Sequence, residues 1–280
     1  MIIPEQITES VISLCQKASF SLPPDVQTAL KKAFSGEKNE AAQDLFEMFN
    51  KNLKIAKRKQ VPLCQDTGTA IVFVEKGDKV HLSGIEIENA IHLGVKKGYN
   101  KYYLRKSIVS DPLRRINTGN NLPAVIHMIP KKGSKLKITL LTKGGGAENC
   151  SQIKMLKPSE GESGCIDFIV DVVKQAGSRG CPPYTVGVGI GGNFEGAPYM
   201  AKKALIRPLT KSHKDPFYAK MEKDALKRIN QLGIGPQGFG GKVTAIAVNI
   251  ETGPCHIASL PIAVNLECWM HRHSTVTIND

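Results

Sequence analysis

Hydrophobic positions in the first sixty residues recur at helical spacing. Val11, Leu14, Cys15 and Ala18 share one helix face, and Pro23-Pro24-Asp25 opens a second helix. Leu45, Phe46, Phe49, Leu53 and Ile55 mark a third from Glu40 to about Arg58. The period then changes. Residues 68–74 form a β-branched and aromatic run, which predicts a strand leaving the loop before it. Beyond it the pattern predicts a helix over 86–103 and strands over 122–128 and 135–142, separated by the Lys131-Lys132-Gly133 turn. A helix over 163–177, a strand over 185–190, a helix over 216–232 and strands over 242–250 and 258–266 complete the pattern. With no internal repeat or low-complexity tract, this predicts an α+β (mixed α/β) fold. A helical N-terminal region precedes a mixed β-sheet flanked by helices, and functional loops lie at strand ends. The expected organisation is a single domain over 1–280, with 1–60 as a helical subregion.

Composition narrows the function classes. Hydrophobic residues make up 41% and charged residues 22%, ordinary for a soluble globular chain. The apolar run over 257–266 is too short for a membrane span and is broken by Ser259, Pro261 and Asn265. The start, Met1-Ile2-Ile3-Pro4-Glu5, lacks the pattern of a secretory leader, so the expected location is cytoplasmic, with no membrane partner. Seven scattered cysteines do not read as a disulfide framework. The net charge of +13 is spread along the chain without a helix-turn-helix or RNA-binding motif. It reads as a solvated lysine-rich surface, without a nucleic-acid partner, that attracts a dianionic substrate or an acidic protein.

Candidate chemistry gathers at a few loops. Cys64-Gln65-Asp66, followed by Thr67-Gly68, sets a soft thiolate beside an amide and a carboxylate. A buried thiol next to an Asx turn would account for that tripeptide alone. Two more cysteines sit in unusual surroundings, Cys181 in Gly180-Cys181-Pro182-Pro183 and Cys268 in Glu267-Cys268-Trp269. Lys143-Gly144-Gly145-Gly146-Ala147-Glu148-Asn149 brings backbone N–H groups toward an anion, or is a flexible connection. Gly187, Gly189 and Gly192 fit the bare spacing of a dinucleotide fingerprint. The segment after Gly192 does not read as an apolar helix, so close strand packing is the better reading than a nicotinamide site. Arg105, beside Tyr102 and Tyr103, suits a substrate carboxylate or lies over the aromatics. His256 stands at the entrance to an apolar stretch, where a structural histidine is the commoner case. Cys268, His271 and His273 lack the second close pair that a zinc finger needs.

Taken together, these segments resemble the class I, iron–sulfur fumarate hydratases, specifically the α subunit of the two-subunit form, and the related L-tartrate dehydratase α subunit. The carrying motifs run in order. They are Pro62-Leu63-Cys64-Gln65-Asp66-Thr67-Gly68, Leu104-Arg105-Lys106-Ser107 with Asp111-Pro112, and Asn117-Thr118-Gly119-Asn120-Asn121. The glycine run 143–149, Cys181-Pro182-Pro183-Tyr184 with Gly187–Gly192, Cys255-His256-Ile257-Ala258-Ser259-Leu260-Pro261 and Cys268 follow. The resemblance implies Cys64, Cys181 and Cys268 as thiolate ligands of a [4Fe–4S] cluster with one open iron. It implies Gln65, Asp66, Arg105, Gly145 and His256 as substrate-binding residues, Asp66 and His256 also being catalytic. The implied reaction is reversible hydration of fumarate to L-malate, with L-tartrate dehydration to oxaloacetate as the alternative. In single-chain relatives a further C-terminal domain completes the site. A separate β subunit is therefore expected to supply it here, in an α2β2 assembly.

Overall fold

The strands pair into two four-stranded sheets, each mixed, within an α+β fold as the hydrophobic pattern predicts. The structure is a computed structural model and describes residues 2–279. Each sheet anchors its own unit. One unit comprises Met1–Pro23, Asn52–Gly145 and Arg272–Asp280; the other comprises Pro24–Lys51 and Gly146–His271.

In the first unit the central strand β1 (Thr69–Gly77) runs parallel to β2 (Val125–Lys131) and antiparallel to β3 (Lys135–Lys143). The outer strand β8 (His273–Asn279) pairs antiparallel with β3. The strands β2 and β3 are consecutive in sequence but do not pair, because β1 lies between them. Helices α1 (Pro4–Phe20) and α4 (Gly84–Lys101) pack together, and α1 also lies against β3 and β8. Ile7, Val11, Leu14, Ile87, Ile91, Val95, Leu136, Ile138 and Leu140 are each at most 1% exposed. Burial at that level stabilises by roughly 1.5–3 kcal/mol per large side chain. Helix α4 starts where its sequence says it should: Ser83 Oγ accepts from Glu86 N, and the Glu86 carboxylate accepts from Ser83 N.

In the second unit the sheet order is β4 (Gln152–Leu156), β7 (Leu260–Glu267), β5 (Tyr184–Gly192), β6 (Ala245–Cys255). The strand β5 is parallel to β6 and antiparallel to β7. Its alternating sequence explains the layers. Val186, Val188 and Ile190 belong to a core shared with α6 (Gly161–Ala176) and α8 (Pro216–Asn230). Gly187 and Gly189 face the other way, onto α7 (Gly196–Leu205), whose Ala197, Ala201 and Ala204 are fully buried. Helix α2 (Pro24–Phe34) belongs to this unit, where Asp25 Oδ2 accepts from Leu209 N at 2.9 Å.

Residues 4–59 carry three helices, as the hydrophobic pattern predicts, with α3 at Glu40–Lys59; α1 belongs to one unit and α2 to the other. One expectation needs correction. A helix, α7, does follow Gly192. Its buried face is alanine apart from Leu205 at its end, too small to register as an apolar stripe beside Lys202 and Lys203. The nicotinamide reading fails on geometry instead. A side-chain carbon on Gly187 or Gly189 would stand 2.3 Å and 2.1 Å from backbone oxygens of α7, so the helix fills the space a pyrophosphate would need. The pattern also missed β4, β8 and a one-turn helix α5 (Gly145–Glu148).

Candidate active site

The loop before β1 is held from beneath at four points. Leu63 is buried; its N–H donates to Ser19 O at 2.9 Å, and its own carbonyl accepts from Asn52 Nδ2 at 2.9 Å. Thr67 is buried and its Oγ1 donates to Arg105 O at 3.2 Å. The Tyr99 hydroxyl, fully buried on α4, lies 3.0 Å from the carbonyls of both Thr67 and Gly68. Burial pushes its ionisation far above the ordinary tyrosine range, so it stays a donor. Asn121, also buried, accepts from Ser107 N at 2.7 Å and donates to Gly68 O at 3.2 Å. It thereby ties the segment that follows Arg105 to the Cys64 loop.

Gly68 is required at the end of this loop. Its φ is +73°, and a side-chain carbon there would lie 2.5 Å from Lys143 O. The turn it permits orients Asp66. Oδ1 accepts from Gly68 N at 3.1 Å, the Asx turn that the tripeptide alone suggests, and Oδ2 accepts from Gly145 N at 2.8 Å. The Gly145 N–H, which the resemblance directs to substrate, is thus donated to Asp66. Cys64 and Asp66 are partly exposed, Gln65 and Arg105 are exposed, and Cys64 Sγ lies 3.8 Å from Gln65 Oε1. The first unit therefore gathers Cys64, Gln65, Asp66, the Arg105 segment and Gly145 around one carboxylate. Each Asp66 oxygen keeps a lone pair beyond the bond it accepts, which leaves room for a proton or a hydroxyl.

The second unit brings together Cys181 and Cys268. Trp269 N donates to Cys181 O at 3.1 Å, which joins the two loops. Tyr184 packs beneath them: its OH donates to Gly177 O at 2.8 Å and accepts from Gly180 N at 3.1 Å. Burial raises its ionisation above the ordinary range, and the neighbouring Cys150, Cys181 and Cys268 add to that. Cys181 has φ +59°, a strained conformation for a side chain of any size. The Trp269 ring stacks on Phe49, centroids 3.9 Å apart. Glu148, from the glycine run, is held by Lys202 Nζ and Asn265 Nδ2 at 2.6 and 3.0 Å, an ion-paired support for α5.

His256 stands elsewhere. Cys181 precedes β5 and Cys268 follows β7, at one end of the sheet; His256 follows β6, at the other. A nine-residue strand separates the two ends by about 25 Å. His256 is exposed, and its Nδ1 accepts from Ala258 N at 3.1 Å, which places the proton of the neutral ring on Nε2.

The thiol set fits a metal cluster by its chemistry. Cys64, Cys181 and Cys268 are accessible on loops, whereas Cys15 and Cys165 are buried thiols with ionisation pushed up to about 12 and about 11. Among the described residues, no three of His, Cys, Asp and Glu are arranged to hold a single metal ion. Sequence reasoning missed Tyr99, a support of the Asp66 loop. Tyr99 reads as one more helix-face residue, and nothing local marks it.

A family model described as fumarate hydratase (fumerase) matches residues 8–277. A protein of Methanocaldococcus jannaschii, named as a candidate L(+)-tartrate dehydratase subunit alpha, is 41% identical over 275 residues, covering 96% of each chain. The L(+)-tartrate dehydratase subunit alpha of Escherichia coli K12 is 31% identical over 98% of this chain and 91% of its own length; that of Shigella sonnei is equally similar.

Proposed function

Because the chain belongs to the fumarate hydratase family, we propose that it is the α subunit of a hydro-lyase that interconverts fumarate and L-malate. The observation that carries this reading is the Asp66 carboxylate, fixed by Gly68 N and Gly145 N beside Cys64 and Gln65. Removing water from a 2-hydroxy dicarboxylate requires a proton to leave the carbon next to one carboxylate while hydroxide leaves its neighbour. Asp66 is aligned to hold that proton, its backbone donors limiting the reorganisation needed as charge moves. The Arg105 guanidinium pairs with a substrate carboxylate through two parallel N–H donors, and Gln65 orients the hydroxyl. Cys64, Cys181 and Cys268 would hold a [4Fe–4S] cluster, which when bound supplies a Lewis acid for the hydroxyl oxygen. A β subunit supplies the remaining substrate contacts. His256 enters such a site from a second copy of the chain, since its own sheet holds it a strand's length from Cys181 and Cys268.

L-tartrate dehydration is the second reading, favoured by the names of the relatives at 41% and 31% identity. Tartrate differs from malate by one hydroxyl, which a single hydrogen-bonding group discriminates. The α and β chains purified together without oxygen, assayed in parallel on fumarate, L-malate and L-tartrate, decide it. A kcat/KM for malate above that for tartrate supports the first reading, and the reverse order supports the second. Turnover of none of the three would overturn both.

A further inference from the structure

Arg272 is the largest fully buried side chain among the described residues, 1% exposed. It sits directly before β8, its carbonyl accepting from Thr142 N and Thr142 Oγ1 at 3.1 and 3.3 Å. Its Nε and Nη1 have no hydrogen-bond partner among the described residues. A guanidinium buried with donors unsatisfied weakens a fold relative to an apolar side chain of similar volume. Packing therefore does not explain this residue.

Its position does. A side-chain carbon on Gly144 would stand 3.2 Å from Asp66 Oδ2 and 3.6 Å from Arg272 Nη2, so carboxylate and guanidinium flank the same bare backbone. Tyr99, which holds the Asp66 loop from below, feels the charges of both. We infer that Arg272 is a positioning residue for Asp66, its buried guanidinium keeping that carboxylate aligned on the Gly68 and Gly145 N–H groups. The strand β8 exists, on this account, partly to deliver it. A side chain at Gly144 would crowd both groups.

This inference rests on the hydro-lyase reading, with Asp66 at the substrate, and the experiment separates the two. Arg272→Met, Arg272→Lys, Asp66→Asn and the Asp66→Asn/Arg272→Met double variant are prepared as complexes with the β subunit. Arg272→Met is expected to lower kcat by about 10- to 100-fold with KM nearly unchanged. Its melting temperature should stay within about 3 °C of wild type, or rise. Arg272→Lys should recover at least about five-fold of that loss, because the positive charge returns. On the Asp66→Asn background, Arg272→Met should cost less than about two-fold more. Equal activity of the Met and Lys variants, a loss confined to KM, or additive losses in the double variant would overturn the role of Arg272. Full activity of Asp66→Asn would instead undo the active-site reading itself.

Discussion

Asp66 shows how much one residue depends on partners far away in sequence. Its two oxygens are engaged by Gly68 and Gly145, two and 79 positions distant. The first contact is legible in the sequence, since Asp followed two residues later by glycine is an Asx turn. The second is not, because no local pattern connects residue 66 to the glycine run. Asp66→Asn turns one oxygen into an NH2 group facing a backbone donor, at a cost of about 1–3 kcal/mol in stability. That cost is one reason the kinetic comparison with Arg272→Met needs the melting temperature beside it. The cysteines divide in the same way. Helical periodicity marks Cys15 as core, whereas Cys64, Cys181 and Cys268 stand out by their neighbours Gln65, Pro182 and Trp269 rather than by any spacing among themselves.

At the scale of elements, the strongly periodic segments were legible and the helix packed on glycine was not. The strand β5 is legible from Thr185 to Ile190, and its glycines are packing positions, as their spacing suggests. What they pack against is not legible, because α7 buries mainly alanines, whose small side chains give a weak apolar stripe. The strands β4 and β8 are harder to read: each is an end strand of its sheet, partly exposed, with Lys154 in β4 and Ser274, Thr275 and Thr277 in β8 among the apolar positions. The contact itself is unforgiving. Gly189→Ala would place a methyl group 2.1 Å from Ala197 O, so α7 must shift. The expected loss is about 2–4 kcal/mol by chemical denaturation, with the m-value unchanged. A loss under half a kilocalorie would mean α7 does not press on the strand as described.

At the scale of the whole molecule, the residues proposed to serve the reaction are divided between the two units. Cys64, Gln65, Asp66 and Gly145 belong to one, and Cys181 and Cys268 to the other. His256, at the far end of its sheet, makes the account depend on a second copy of the chain. Mixing Cys181→Ser and His256→Asn chains with the β subunit tests this. Each is inactive alone, and random pairing in a two-fold dimer should restore about a quarter of wild-type activity. No recovery in the mixture would place His256 in the same copy as the cysteines it serves, and full activity of His256→Asn alone would place it outside the site. The central claim is that three cysteines distant in sequence serve one reaction centre, and iron content measures it most directly. Wild-type α with its β subunit, reconstituted with iron and sulfide without oxygen, should carry about four iron atoms per α chain and a broad visible absorption that air bleaches. Cys64→Ser, Cys181→Ser and Cys268→Ser should each abolish both the absorption and hydro-lyase activity, while Cys165→Ser leaves both intact. Hydro-lyase activity from an iron-free complex, or full iron retained by all three serine variants, would contradict the account.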